Sequence, residues 1–124
     1  MTVRAIRGAI QVARNERDDV LEGASELVRE VLRHNRIEPD DLISILFTAT
    51  PDLTAEFPAY AARQLGLTDV PLMCACEIAV PDAMPRVLRL LAHVETELPR
   101  SEVRHVYLRG AAKLRSDLAR VDRA

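Results

Sequence analysis

Several features that would announce a chemistry are missing from this chain of 124 residues. No run approaches the roughly 18 consecutive apolar residues of a membrane span, so no transmembrane helix is expected. The opening Met1-Thr2-Val3-Arg4-Ala5-Ile6-Arg7 has no apolar core of an export signal. There are two cysteines, Cys74 and Cys76. Their i, i+2 spacing puts them on one side of a strand, badly placed to bond each other, and they read as reduced cytoplasmic thiols. The Cys-x-Cys pair has no second ligand pair nearby, and His34, His93 and His105 are scattered, so no metal site is expected. There is no glycine-rich phosphate loop, no Ser/His/Asp set and no internal repeat. Of the 17 basic residues only Lys113 is lysine. A net charge of −2 argues against a nucleic-acid surface. The arginine skew suits carboxylate recognition but more often reflects coding bias, so position has to single out a functional arginine.

What is present is ordinary for a soluble globular domain, at 48% hydrophobic and 29% charged. The length suits one domain that gains from assembly. The most informative stretch runs from Val70 through Pro71, Leu72, Met73, Cys74, Ala75, Cys76 and Glu77 to Val80. It predicts an apolar strand, buried on both faces, with one carboxylate set into it. Glu77 is either a strand-end residue reaching solvent or a functional carboxylate partnered by an arginine or a ligand hydroxyl.

Residues 2–13 alternate as a strand, with Val3, Ala5, Arg7 and Ala9 on one face and Ile6, Ile10 and Val12 on the other. Arg7, among small apolar side chains and next to Gly8, is a ligand-binding candidate or half of a structural ion pair. Asn15 predicts the cap of a helix to about Asn35, with Val20, Leu21, Ala24, Leu27, Val28, Val31 and Leu32 as its buried stripe. A second strand covers 42–49. A two-proline loop follows and carries Phe57, then a short helix over 59–65 carries Arg63 and stops at Gly66. A third helix is expected from Pro81, with Val87, Leu88, Leu91 and Val94 inward and Arg86, Arg89 and His93 as its polar edge. A last strand covers 103–108, and residues 109–124 form a charged, partly mobile tail. The expected fold is α+β, a single domain over 1–108 with a mixed sheet and helices on one face. The other face, left bare and apolar, predicts a homo-oligomer.

Taken together, Val3 to Ala9, Thr48 to Leu53 running to Ala59, Val70-Pro71 with Cys74 and Glu77, Arg89, and Arg104 to Leu108 with the tail 114–118 resemble the trimeric α/β chorismate mutases. The resemblance spans nearly the whole chain in order. It implies a trimer forming a pseudo-α/β-barrel, with chorismate rearranged to prephenate at sites between subunits and no cofactor. It assigns catalytic roles to Arg7, Glu77 and Arg89. It assigns substrate binding to Cys74, Tyr107, Met73, Phe57, Arg63, Leu114 and Arg115, with Phe57 and Arg63 reaching in from a neighbour. Placing both Cys74 and Glu77 at the site asks for a bulge or strand end after Cys76, since strict alternation separates them. The chain departs from the family's usual pattern at Tyr60, where lysine is common, at Met73, and at Ser116. The runner-up enzyme reading, the trimeric imine-deaminase family, whose glycine-rich signatures are missing, is a distant second, and the alternative from another class is a non-catalytic ligand-binding or regulatory trimer of the same fold.

Overall fold

The alternation of the opening residues produces β1 (Thr2–Gln11). Helix α1 (Arg17–His34) follows, burying Val20, Leu21, Ala24, Leu27, Val28 and Val31 as one stripe. Asp18 and Asp19 in its first turn and Arg33 and His34 in its last oppose the helix dipole favourably. The cap position is Glu16, which makes no side-chain cap bond, and the predicted cap Asn15 is committed elsewhere. The computed structural model describes residues 1–114. Within it the chain continues through β2 (Leu42–Ala49), α2 (Ala59–Gln64), β3 (Leu72–Cys76), β4 (Val87–Thr96) and β5 (Val106–Leu108). Gly66 ends the α2 region at φ +94°, a conformation open to glycine at little cost.

The five strands form one mixed sheet in the order β3-β2-β4-β1-β5. β4 runs antiparallel to both β1 and β2, while β3 and β5 pair in parallel at the two edges. Both α-helices pack on one face, over a core that includes Ile6, Ile10, Phe47, Leu88, Leu90 and Val94. The α+β class with helices on one side is therefore present.

Two expectations are corrected. The helix predicted from Pro81 is instead a turn followed by the central strand β4, so Arg89 lies on a strand. Leu88, Leu90, Ala92 and Val94 alternate inward, while Arg89, Leu91 and His93 face the other way. Leucine and alanine favour helix when read locally, but two antiparallel neighbours and an apolar layer below select the strand. The stretch around Met73 is an edge strand, and Met73, Ala75 and Cys76 are exposed. Pairing on one side alone leaves it half covered.

The face opposite the helices is largely bare. Val3, Ala5, Arg7, Met73 and Ala75 are exposed on it, and Leu46 and Leu91 are half-buried. Among the described residues, only one end is covered. There Ala9, Val87 and Ala111 form a small buried cluster, with Met84, Tyr107 and Leu114 packed against it. Ala111 and Leu114, placed in the tail by sequence, thus lie against the sheet.

Helix α1 approaches β1 closely at Gly23, where an added Cβ would stand 2.5 Å from Val12 Cγ1. Gly23→Ala should therefore lower stability by about 1–2 kcal/mol despite the better helix propensity of alanine. A urea melt should show a lower midpoint at unchanged slope. A midpoint at or above that of the parent would mean that the helix lifts without cost.

Candidate active site

Period two places Thr48 on β2, Ala75 on β3 and Arg89 on β4 in one row, on the face the helices leave bare. Glu77 follows β3, its N–H donating to Ala49 O at 2.9 Å, so the ladder runs on past Cys76. The glutamate therefore returns to the same face as Ala75. Its Oε2 accepts the Thr48 hydroxyl at 2.6 Å and Arg89 Nε at 3.0 Å. Both bonds fall on a single oxygen. Among the described residues, Glu77 Oε1 and the two Nη groups of Arg89 have no hydrogen-bond partner. The pair is partly accessible, with side chains 43% exposed for Arg89 and 19% for Glu77. Both line an open cleft of about 310 Å³ with Thr50, Asp52 and Met84.

Arg89 owes its place to bonds at the start of β4. Thr50 exchanges two bonds with Val87, its N–H donating to Val87 O and its Oγ1 accepting Val87 N–H, each at 3.1 Å. Asp52 Oδ2 accepts the Arg86 N–H at 2.9 Å. Arg86 Nε reaches Val12 O at 3.0 Å. These contacts hold Arg86 at φ +54°, an unfavourable region for a residue with a Cβ, three residues before Arg89.

Arg7 stands on the same face opposite Leu91, and Arg89 stands opposite Ala9. The two arginines are thus diagonal neighbours, a placement that brings Cβ atoms to about 7–8 Å. No side-chain partner is recorded for Arg7 among the described residues. Its backbone N–H donates to His105 Nδ1 at 2.9 Å. Tyr107, in register with Ala9, flanks the row on its other side.

Four of the remaining predicted residues form a second group. Phe57, Arg63, Met73 and Cys74 line a cleft of about 470 Å³ together with Arg17, Glu56 and Tyr60. Phe57 is 71% exposed, held out on the loop before α2. Met73, in register with Leu46, projects at the sheet edge. Cys74 pairs in register with Phe47, on the helix-covered face. Of the bulge or strand end expected after Cys76, β3 does end there, but the ladder runs on to Glu77 without a bulge and alternation still separates Cys74 from Glu77 within one chain. Leu114 packs near Tyr107. Arg115 and Ser116 lie outside the described residues. Sequence reasoning gave no role to Thr48, Thr50 or Asp52. For Thr48 the signal was available, because its strand parity matches that of Ala75 and Glu77.

In the second cleft, Glu56 accepts the Phe57 N–H and the Arg17 guanidinium, each at 2.9 Å. The Phe57 N–H first, and Arg17 after it, hold its carboxyl below the ordinary value of 4.5. Since the folded value is the lower one, this contribution is complete above pH 4.5 and lost as pH falls through the lowered value.

The family model for chorismate mutase type I matches residues 3–118. The chain belongs to this family. It is 47% identical over 117 residues to chorismate mutase AroH of Thermus thermophilus, covering 94% of this chain and 96% of that protein. It is 38% identical over 120 residues to chorismate mutase AroH of Bacillus subtilis, covering 96% and 94% respectively. Among solved structures, a chorismate mutase from Clostridium thermocellum superposes with a TM-score of 0.88 at 44% identity, over 89% of this chain and 98% of that one. Among the described residues no helix is long and apolar enough to cross a membrane. A type I chorismate mutase thus presents two guanidinium groups and one carboxylate on an uncovered sheet face.

The Thr48 hydroxyl is what aims the Glu77 carboxylate. Thr48→Val should keep the fold and lower turnover about tenfold or more, the cost of one charge-assisted hydrogen bond. Chorismate turnover checked beside a urea melt decides it, and parent-level turnover would remove the hydroxyl from the site.

Proposed function

We propose that this protein rearranges chorismate to prephenate, a step in aromatic amino-acid biosynthesis, at sites completed where two copies of a cytoplasmic homotrimer meet. One observation carries the reading. The Arg89–Glu77 pair keeps hydrogen-bonding capacity in reserve, beside Arg7, on a face that the fold leaves bare.

The chemistry fits such a site. The rearrangement is unimolecular and pericyclic: the ether C–O bond breaks as a C–C bond forms between the enolpyruvyl end and the ring. No proton moves between groups and no nucleophile is needed. A catalyst has to hold a flexible dianion in its compact chair-like conformer and stabilise redistributed charge. In this reading Arg7 grips a substrate carboxylate, with the planar fork suited to it. The Nη groups of Arg89 meet the ether oxygen, where negative charge grows, and a carboxylate. Glu77 Oε1 accepts the ring hydroxyl and favours partial positive charge on the ring. Tyr107, Cys74, Leu114 and Arg115 complete the substrate-binding set.

Phe57 and Arg63 come from a second copy in this reading, and Met73 and Cys74 line the same cleft as they do. Within one chain their cleft and the Arg89–Glu77 cleft share no lining residue. In this reading a single protomer offers two half-sites. Exposed Val3, Phe57, Met73, Ile78 and Val80 supply apolar surface for the contact between copies.

The test is the loss of chorismate absorbance with purified protein in chelator and no added cofactor. Prephenate formation is expected. Arg89→Lys should fold normally yet lose about 10²–10³ in turnover, because one ammonium cannot copy the planar fork. Turnover near that of the parent would take Arg89 out of the mechanism. Light scattering should give a trimer mass, and a monomer would contradict a site shared between copies.

A further inference from the structure

The loop between β2 and α2 roots Leu53 in the core, but its far part, which presents Phe57 to solvent, has no such support. Its backbone is instead held by side chains at the start of α1. Asn15 Oδ1 accepts the N–H groups of Thr54 at 2.9 Å and Ala55 at 3.0 Å. Asn15 Nδ2 donates to Thr54 Oγ1 at 2.9 Å. Two residues on, Arg17 Nε donates to Glu56, whose other carboxylate oxygen accepts the Phe57 N–H. The Arg17 guanidinium also lies 5.5 Å from the Tyr60 ring centroid. Three of the four amides from Thr54 to Phe57 are thereby fixed by side chains.

Asn15 stands one residue before the cap position, Glu16, and its side chain is turned away from the helix start. Here its carbonyl oxygen spends both lone pairs on residues 39 and 40 positions away. The helix start is left uncapped by it, and the loop gains an anchor at its tip.

We infer that Asn15 is a positioning residue: it clamps the 54–57 loop of its own chain so that Phe57 is presented, already ordered, to the substrate site of a neighbouring copy. The inference rests on the reading that Phe57 lines that site. Ordering the loop before binding removes an entropy cost from substrate capture, which affects ground state and transition state alike. The consequence falls on KM rather than on kcat.

Asn15→Ala should raise KM for chorismate about five- to tenfold with kcat within about twofold, and hydrogen–deuterium exchange across 53–58 should quicken. Asn15→Asp should restore both. Its carboxylate accepts the same two amides, and the Thr54 hydroxyl can turn to donate to it. Phe57→Ala, measured alongside, separates the two ideas. If Phe57→Ala leaves KM unchanged, the site reading fails. If Asn15→Ala leaves loop exchange and KM unchanged, or Asn15→Asp rescues neither, the clamp itself is overturned.

Discussion

Glu77 and Arg89 sit on segments that are not neighbours in the sheet, and β2 lies between them. Two strand spacings separate β3 from β4, about 9–10 Å. The two side chains meet by leaning over β2, where the Thr48 hydroxyl bonds the same carboxylate oxygen as Arg89. This crossing depends on three strands keeping register. A one-residue slip of any of them would turn its residue to the helix-covered face. The Thr50 and Asp52 bonds to Val87 and Arg86 guard that register at the start of β4. The core below guards it too, since slipping β4 would expose Leu88, Leu90, Ala92 and Val94 together.

That geometry suits chemistry without a nucleophile. A carboxylate with both internal bonds on one oxygen keeps the other ready. A guanidinium tied through Nε keeps its outer fork ready. In the proposed reading neither group has to reorganise when substrate arrives, which is what electrostatic preorganisation requires. The ion pair is accessible enough that its own net stabilisation is small, of the order of 1 kcal/mol or less. Its value to the protein is therefore orientation more than stability.

Much of this was legible in the residues. β1 announced itself through alternation, α1 through a period-3.6 stripe, β2 as an apolar run after Pro39, and α2 as a short helix stopped at Gly66. The order of the family's motif residues pointed to Arg7, Glu77 and Arg89, which the sheet brings onto one face. β4 was misread because Leu91, on the bare face, interrupts the alternation of Leu88, Leu90 and Ala92 and mimics a helical stripe. The strand assignment is settled by pairing with β1 and β2, which no local pattern encodes. Asn15 illustrates the same limit. Its type and place fit a cap, yet its partners lie on a distant loop. Cys74 shows the opposite case, where simple alternation correctly set it apart from Glu77.

The division into half-sites is the central claim, and complementation tests it most directly. An Arg89→Ala chain and an Arg63→Ala chain, each inactive alone, would be unfolded together and refolded as mixed oligomers. If each site draws one half from either copy, about a quarter of the contacts regain both intact halves. Chorismate turnover should then return to a substantial fraction of the parent level. If the mixture stays as inactive as its components while mass analysis shows mixed oligomers, both halves belong to one chain and the shared-site account is wrong.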